Sequence, residues 1–324
     1  MIDVSVIVPV YNEVENVQLL CEKLHTALTR LGRSYEVVLV DDGSSDGTWD
    51  KLKEVATQIP HLRLIRFRRN FGQTAAMSAG LNHAQGQVII TMDADLQNDP
   101  ADIPLLLDRI EKGADVVSGW RKDRKDAFVH RKLPSQIANK LISKITGVDI
   151  HDFGCTLKAY RRDVMQNVNL YGELHRFIPA LAAWVGGKVD EVVVTHHPRQ
   201  FGQSKYGLSR IVKVVLDLIT VSFLLRYSKS PIQIFGRIGL YCGLLGGALL
   251  AVMVLTNLSA NLFGTHLGAD LLKRPFWVMT SFMLVFFGVQ FISMGLLAEI
   301  QIRTYHESQG KPIYFIRELI EPKA

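Results

Sequence analysis

The sequence has little cysteine and none of the glycine-rich motifs that commonly cradle nucleotide phosphates. Three cysteines occur among 324 residues without a CxxC pair, so a disulfide framework and a structural zinc site are disfavoured and a reducing compartment is expected. The motifs GxGxxG and GxxxxGK[ST] are missing, which argues against a dinucleotide dehydrogenase and a P-loop NTPase. Any phosphate bound by this chain would therefore depend on basic side chains.

The first nine residues carry no basic segment ahead of an apolar run, and polar residues follow at Tyr11, Asn12 and Glu13. This pattern is not that of a cleaved signal peptide. We therefore expect the residues before position 230 to remain on the cytosolic side of a membrane.

Two long apolar runs follow, because residues 238–258 and 275–298 include no charged side chain. At about 1.5 Å per helical residue, each run can cross a hydrocarbon core of about 30 Å. Two transmembrane helices are predicted. Gly239, Gly243 and Gly247 are spaced to form one face that permits close packing, against the second span or between subunits.

Positive charge is concentrated just before these runs. Residues 196–237 contain seven basic side chains and one acidic side chain, a surplus equal to the net charge of +6. The surplus suits anionic headgroups or phosphate ligands and obeys the positive-inside rule, and the neighbouring spans argue against nucleic acid as a partner. Residues 208–225 are predicted to form an interfacial helix, with an ordinary core helix as the alternative. The expected acceptor and lipid surface comprises Arg124, Arg131, Arg210, Lys213, Arg226 and Lys229.

Short apolar runs alternate with helical patterns over the first 120 residues. Strands are predicted at 4–10, 35–40, 62–67, 88–92 and 115–119, with helices between them. The alternation predicts an α/β fold with a mainly parallel sheet flanked by helices, and places ligand groups at the carboxyl ends of the strands.

Acidic motifs follow two of these strands, DDGSSDGT at 41–48 and DADLQ at 93–97. Carboxylates two apart on an extended chain point to opposite faces, so DADLQ needs a bend before both can approach one ligand. Its oxygen ligands would then suit Mg²⁺ or Mn²⁺ beside a diphosphate, with a solvated loop as the alternative. For Asp46 and Gly47, a turn with a helix cap is an equal alternative to ligand binding.

Four motifs, taken in order, resemble the family-two glycosyltransferases of GT-A fold. They are VPVYNE at 8–13, the 41–48 turn, DADLQ at 93–97 and RQFGQSKY at 199–206, and two membrane spans follow them. The resemblance covers essentially the whole chain. It is strongest to the polyisoprenyl-phosphate glycosyltransferases, which include bactoprenol glucosyltransferases and dolichol-phosphate mannose synthases.

The resemblance implies a nucleotide sugar donor, a polyprenyl phosphate acceptor and a set of site residues. The nucleotide sugar would contact Pro9, Tyr11, Glu13, Asp42, Asp93, Arg121 and Ser204. Asp95 and Gln97 would hold Mg²⁺ or Mn²⁺. The catalytic group would comprise Asp93, Asp152, Arg199 and Lys205. Asp152 would lie near the acceptor, either as a general base or as a positioning residue for the basic side chains that hold the acceptor phosphate. We favour positioning.

The implied reaction is the inverting transfer of one hexose to undecaprenyl phosphate, with UDP-glucose as the first choice of donor. GDP-mannose, UDP-N-acetylglucosamine and a UDP-pentose are alternative donors. The QxxRW motif of processive synthases is missing, so one sugar per turnover is expected. A non-catalytic membrane assembly subunit is a further alternative, against which the intact acidic and basic motifs argue.

The expected organisation has four parts. A cytosolic catalytic domain over 1–204 precedes amphipathic juxtamembrane helices over 205–233, a two-helix transmembrane domain over 234–298 and a cytosolic tail over 299–324. We expect a protein of the bacterial inner membrane with both termini in the cytoplasm, surrounded by membrane lipids. The resemblance favours a homo-oligomer, and among such assemblies a tetramer.

Overall fold

A computed structural model describes residues 2–122, 142–143, 146–166, 174–198, 232–263, 275–308 and 314–322. The chain forms two compact units, one of Met1–Ser222 with Pro312–Ala324 and one of Phe223–Lys311. The predicted interfacial helix over 208–225 lies outside the described residues, and the predicted domain boundaries stay predictions.

The first unit alternates strands and helices as the apolar pattern predicts. Its elements are β1 (Val4–Val10), α1 (Val14–Thr29), β2 (Tyr35–Asp41), α2 (Thr48–Gln58), β3 (Leu62–Phe67), α3 (Gln73–His83), β4 (Val88–Thr91), α4 (Ile103–Glu111), β5 (Val116–Trp120), β6 (Lys158–Arg161), α5 (Arg162–Met165), α6 (Ile178–Trp184), β7 (Val189–Val193) and β8 (Ile316–Ile320). The five predicted strands match β1 to β5 to within a residue at each end.

The described strands form one mixed sheet in the order β7-β5-β6-β4-β1-β2-β3-β8. Parallel pairs join β1 to β2 and β4, β2 to β3, and β5 to β7. By contrast, β6 runs antiparallel to β4 and β5, and β8 runs antiparallel to β3. The predicted parallel sheet is thus confirmed at its centre, and antiparallel strands extend it.

Helices cover both faces of β1, whose residues are almost all buried, as expected for a central parallel strand. Leu20 and Leu24 of α1 are buried in the same core as the valines of β1. On α3, Gly80 permits a close approach to β1, because a Cβ there would lie 2.3 Å from Cγ2 of Ile7. This contact fixes the position of α3 on the sheet.

Strands β1 and β4 pair only as far as Ile7 and Thr91. Beyond that point β4 ends, whereas β1 continues to Val10 beside β2. Successive connections lead from β1 to β2 and β3 on one side, and then back to β4 on the other. In open α/β sheets, such a switch point creates a crevice at the carboxyl ends of the strands, where ligands bind.

The second unit contains α7 (Ile232–Phe263) and α8 (Pro275–Ser308). Within them, Phe235–Ser259 and Pro275–Ala298 are long and apolar enough to cross a membrane. Large apolar side chains such as Leu244 and Phe286 are exposed along both helices. Such surfaces are costly in water and suit a lipid environment.

Glycines bring α7 and α8 into backbone contact. A Cβ on Gly288 would lie 2.7 Å from the carbonyl oxygen of Gly239 and 2.9 Å from the nitrogen of Gly243. A Cβ on Gly246 would lie 2.8 Å from the carbonyl oxygen of Ser281. Gly239 therefore faces the second helix, which is one of the two packings predicted for the glycine face. A Cβ on Gly243 or on Gly247 would meet open space.

We expect Gly288→Ala to destabilise the helix pair by about 1–3 kcal/mol, because its methyl group would overpack a backbone contact. Gly247→Ala is the matched control, since it makes the same exchange in open space. Thermal unfolding of the detergent-solubilised chain measures both. Equal melting temperatures for the two variants would contradict the packing described here.

Candidate functional site

The loop after β1 and the turn after β2 are bonded to each other. The backbone N–H of Asn12 donates to Oγ of Ser44 at 2.9 Å, and Oδ1 of Asn12 accepts from the N–H of Ser45 at 2.9 Å. One step further, the N–H of Glu13 donates to Oγ1 of Thr48 at 3.0 Å. Asn12 has a φ of 52°, in the left-handed region that asparagine tolerates better than most residues. These bonds hold the VPVYNE motif against the acidic turn.

Asp42 anchors the segment that follows β3. Its carboxylate is 3% exposed and accepts hydrogen bonds from the N–H of Phe71 at 2.7 Å and of Gly72 at 2.9 Å. Burial raises the pKa of Asp42 to about 6, although the two N–H donors act in the opposite direction. Gly43 has a φ of 72°, and a Cβ there would lie 2.5 Å from the carbonyl carbon of Arg69. The turn and the segment are therefore in close contact.

The last acidic residue of the turn, Asp46, has a structural role. Oδ1 of Asp46 accepts from the N–H of Thr48 at 3.0 Å, and Oδ2 accepts from the N–H of Val14 at 3.2 Å. Gly47 has a φ of 93° and precedes α2. Asp46 and Gly47 thus form the turn that precedes α2, with Gly47 at the N-cap position.

The DADLQ motif bends directly after β4, as its spacing required. Leu96 has a φ of 59° and is buried in the core, which holds the bend in place. Oδ1 of Asp95 accepts from the N–H of Gln97 at 3.2 Å. Oδ1 of Asp93 accepts from Nε2 of Gln73, at the start of α3, at 2.7 Å.

Asp95 is close enough to Asp93 to influence the ionisation of Asp93. Burial and the Asp95 carboxylate raise the pKa of Asp93 to about 6, while Thr156, Arg121 and Gln73 act in the opposite direction. A cation would relieve this repulsion. With Gln97, the two carboxylates offer the hard oxygen donors that Mg²⁺ and Mn²⁺ prefer.

A metal held there would need ligands from outside this group. In the part of the chain that the structure describes, no group of three or more His, Cys, Asp or Glu side chains is suited to a metal. Mg²⁺ is commonly bound by one or two carboxylates together with waters and substrate phosphates. The residues present therefore fit a divalent cation that shares its ligands with a bound diphosphate.

Arg121 and Asp152 form a bidentate ion pair at the end of β5. Nε and Nη2 of Arg121 donate to the two carboxylate oxygens of Asp152 at 2.7 and 3.0 Å. The N–H of Gly154 adds a third donor to Asp152 at 3.1 Å. Burial opposes the charge of Arg121, yet these bonds hold its pKa above the ordinary value.

Buried polar groups support this pair. Nζ of Lys158 donates to the carbonyl oxygen of Phe153 at 3.0 Å, and burial lowers the pKa of Lys158 to about 8. Nδ2 of Asn98 donates to Oγ1 of Thr156 at 2.9 Å. The loop that carries Asp152 is thereby tied to the end of the DADLQ motif.

The chain passes beside DADLQ again just before the basic RQFGQSKY motif. The N–H of His197 donates to the carbonyl oxygen of Gln97 at 2.8 Å, and its Nε2 lies 2.9 Å from Oδ2 of Asp99. His196 forms an antiparallel bridge with Asn98. The basic motif therefore begins two residues after a backbone bond to Gln97.

Pro9 is the last but one residue of β1. Eight further predicted site residues follow the carboxyl ends of β1, β2, β4 or β5 or contact a residue that does, namely Tyr11, Glu13, Asp42, Asp93, Asp95, Gln97, Arg121 and Asp152. The other predicted residues lie outside the described residues, namely Arg124, Arg131, Arg199, Ser204, Lys205, Arg210, Lys213, Arg226 and Lys229.

Sequence reasoning missed four polar residues of this site, Gln73, Asn98, Thr156 and Lys158. Gln73 had a weak signal, because it stands at a predicted helix start that follows a strand. The others had none, since a single Asn, Thr or Lys in a short loop or strand carries no motif. Their roles arise from tertiary contacts with DADLQ and the Asp152 loop.

Solved structures of low sequence identity share this architecture. Glucosyl-3-phosphoglycerate synthase from Mycobacterium tuberculosis, crystallised with Mn²⁺, UDP and phosphoglyceric acid, superposes with a TM-score of 0.54 at 15% identity over 68% of this chain and 77% of its own. Mannosyl-3-phosphoglycerate synthase from Rubrobacter xylanophilus gives a TM-score of 0.52 at 16% identity over 68% and 74%. The fold is that of a GT-A glycosyltransferase.

The chain belongs to glycosyl transferase family 2, whose sequence profile matches residues 5–168. A dodecaprenyl-phosphate galacturonate synthase from Rhizobium johnstonii is 43% identical over 330 residues, covering 100% of this chain and 94% of that protein. An undecaprenyl-phosphate 4-deoxy-4-formamido-L-arabinose transferase from Edwardsiella ictaluri is 37% identical over 319 residues, covering 98% and 94%. The predicted family and the prediction of a transferase enzyme are confirmed.

We expect Asp152→Ala to lower the free energy of unfolding by about 3–5 kcal/mol, because it leaves the buried charge of Arg121 without its partner. Asp108→Ala is the control. It breaks an exposed ion pair between Asp108 of α4 and Lys112, the residue after the helix. The free energy of unfolding should fall by no more than about 0.5 kcal/mol. Denaturant titration compares them, and equal losses would contradict the role of the buried pair.

Proposed function

We propose that this protein transfers one sugar from a nucleotide sugar to a polyprenyl phosphate at the cytosolic face of the bacterial inner membrane. The observation that carries the proposal is the placement of Asp42, Asp93 and Asp95 just after β2 and β4, the two neighbours of β1, in a chain that aligns over its whole length with polyprenyl-phosphate sugar transferases. The alignment spans the apolar helices as well as the site.

The donor sugar is the finer part of this proposal. The family resemblance favours glucose as the transferred sugar, but the relatives' names give galacturonate and 4-deoxy-4-formamido-L-arabinose. The relative of 43% identity covers the entire chain. We therefore take a UDP-linked galacturonate as the first donor to test, ahead of UDP-glucose.

The predicted site residues have distinct roles in the proposed reaction. Pro9, Tyr11, Glu13 and Asp42 line the nucleotide side, and Asp93 contacts the sugar. Asp95 and Gln97 would hold Mg²⁺ or Mn²⁺, which when bound would neutralise charge on the departing diphosphate. Arg121, Arg199, Ser204 and Lys205 would contact phosphate groups, for which guanidinium and ammonium donors are suited.

The acceptor phosphate is the proposed nucleophile, attacking the anomeric carbon with inversion as UDP leaves. A phosphate monoester has a second pKa of about 6, so it is largely dianionic at neutral pH and needs no strong protein base. The Asp152 carboxylate already accepts from Arg121 and Gly154. This engagement supports a positioning role, with Asp152 orienting Arg121 towards phosphate.

We also propose that α7 and α8 cross the membrane with both chain termini in the cytoplasm. The basic surplus at 196–237 supports this orientation through the positive-inside rule. Two spans return the chain to its starting side, and β8, which follows α8, pairs with β3 of the α/β unit. Open space at Gly247 would suit contact between copies, which supports a homo-oligomer.

The test uses the purified full-length protein with undecaprenyl phosphate and a panel of radiolabelled donors. The panel contains UDP-galacturonate, UDP-glucose, UDP-N-acetylglucosamine, GDP-mannose and a UDP-pentose. We expect label in the extracted lipid from one donor above the others, at one sugar per phosphate. No lipid label with any donor would overturn the proposed function, and label from UDP-glucose alone would restore the first choice.

We expect Asp95→Asn to reduce kcat/KM by about 100-fold or more, because it removes a charged oxygen from a group worth several kcal/mol in the transition state. Asp50→Asn, at an exposed site on α2, is the control for charge removal. Turnover is measured across a Mn²⁺ titration. An Asp95→Asn variant with parental rate and metal dependence would refute the metal assignment.

For Asp152→Asn, we expect a loss of about 100-fold that is uniform between pH 6 and pH 8.5, since a misplaced phosphate group reacts slowly at every pH. A general base would instead help only while the acceptor retains a proton. The pH profile of kcat/KM decides between them. A loss at pH 6 that disappears by pH 8.5 would contradict positioning.

A further inference from the structure

The C-terminal segment after α8 completes the sheet of the α/β unit. Strand β8 pairs with β3 in a ladder that runs from Leu64 and Ile320 to Phe67 and Ile316. Beyond the ladder, the N–H of Arg68 donates to the carbonyl oxygen of Phe315 at 3.1 Å. The tail therefore bonds the first residue of the segment that connects β3 to α3.

Tyr314 joins the two elements that flank this connecting segment. Its ring is 6% exposed and stacks on Phe67 of β3, with centroids 5.2 Å apart and planes at 14°. Its hydroxyl oxygen accepts from Nδ2 of Asn82 on α3 at 2.8 Å. Phe71, within the segment, packs edge-on against Phe67 and touches Phe315 of the tail.

The segment over 68–73 in turn holds two carboxylates of the site. The N–H groups of Phe71 and Gly72 donate to Asp42, and the side chain of Gln73 donates to Asp93. Gly72 has φ 94° and ψ 160°, a conformation open essentially to glycine alone. The tail contacts this segment through Phe315, which accepts from the N–H of Arg68 and packs against the ring of Phe71.

We propose that Tyr314 and β8 position the donor-binding residues at the carboxyl ends of β2 and β4 by holding residues 68–73 against Asp42 and Asp93. Tyr314 is thus a positioning residue that touches no substrate. The proposal rests on the proposed function, in which the nucleotide sugar binds at these strand ends. It makes donor binding depend on a segment separated in sequence from the site by both apolar helices.

The far end of the tail provides a matched control. Oε2 of Glu321 lies 2.6 Å from Nη1 of Arg63, at the start of β3 and so at the other end of the strand from residues 68–73. Arg63 also pairs with the buried Glu36 at 3.2 Å. Glu321→Ala therefore loosens the same tail without touching the segment over 68–73.

Amide hydrogen exchange tests, without any nucleotide, whether Tyr314 holds residues 68–73 in place. In the detergent-solubilised full-length chain, Tyr314→Ala should speed exchange of a peptide that covers 69–73, whereas Glu321→Ala should not. If Tyr314→Ala fails to fold, Tyr314→Phe decides, since it keeps the stacked ring and loses the bond to Asn82. Unchanged exchange at 69–73 in the folded Tyr314 variant would overturn the proposal.

Kinetics and UDP binding test the consequence for the site. Tyr314→Ala should raise the KM for the nucleotide sugar and the Kd for UDP with Mn²⁺ by about fivefold to tenfold, with Tyr314→Phe in between, while the KM for lipid phosphate stays at the parental value. Glu321→Ala should lower the melting temperature with an unchanged donor KM. A smaller folded fraction would lower the maximal rate and leave the donor KM and the Kd for UDP unchanged. That result for a Tyr314 variant would contradict positioning. A parent protein that binds no nucleotide would overturn the proposed function itself, and this inference with it.

Discussion

The divergence of β1 and β4 after Ile7 and Thr91 is the constraint on which the rest of the site depends. Up to that point the two strands satisfy each other's backbone groups. Beyond it β4 ends, and β1 continues to Val10 beside β2. The VPVYNE loop bonds to the acidic turn on one side of the crevice. The DADLQ bend bonds to the loop of Asp152 on the other, through Asn98 and Thr156. A ligand in the crevice would therefore meet two braced walls, which residues 71–73 link through Asp42 and Asp93.

The site also concentrates negative charge that the protein offsets only in part. Asp42 has two backbone N–H donors and Asp152 has the guanidinium of Arg121, so each carboxylate is matched by donors of the chain itself. Burial and the nearby Asp95 carboxylate raise the pKa of Asp93 to about 6, although Thr156, Arg121 and Gln73 act in the opposite direction. A divalent cation would add positive charge beside these carboxylates. A bound diphosphate would supply the further oxygen ligands that the cation needs.

The apolar alternation predicted β1 to β5 and the two long helices because those signals are local. Strand β6 escaped prediction because it is four residues long and carries Lys158 and Arg161, which read as a loop. Strand β8 escaped because its partner β3 is remote in sequence, and no local pattern records that pairing. The same distinction holds within the site. Motif carboxylates such as Asp93 could be found from spacing, whereas Gln73 acquires its role only when α3 packs on β1 at Gly80.

The central claim is that a nucleotide binds between the loops that follow β1 and β2. Photo-crosslinking of the full-length protein with an azido-UDP probe, followed by peptide mapping, tests it most directly. The account predicts that labelled peptides cover residues 9–13 or 41–48, and that excess UDP with Mg²⁺ prevents the labelling. Labelling confined to other peptides, such as those of α4 or β7, with the same protection by UDP, would contradict it.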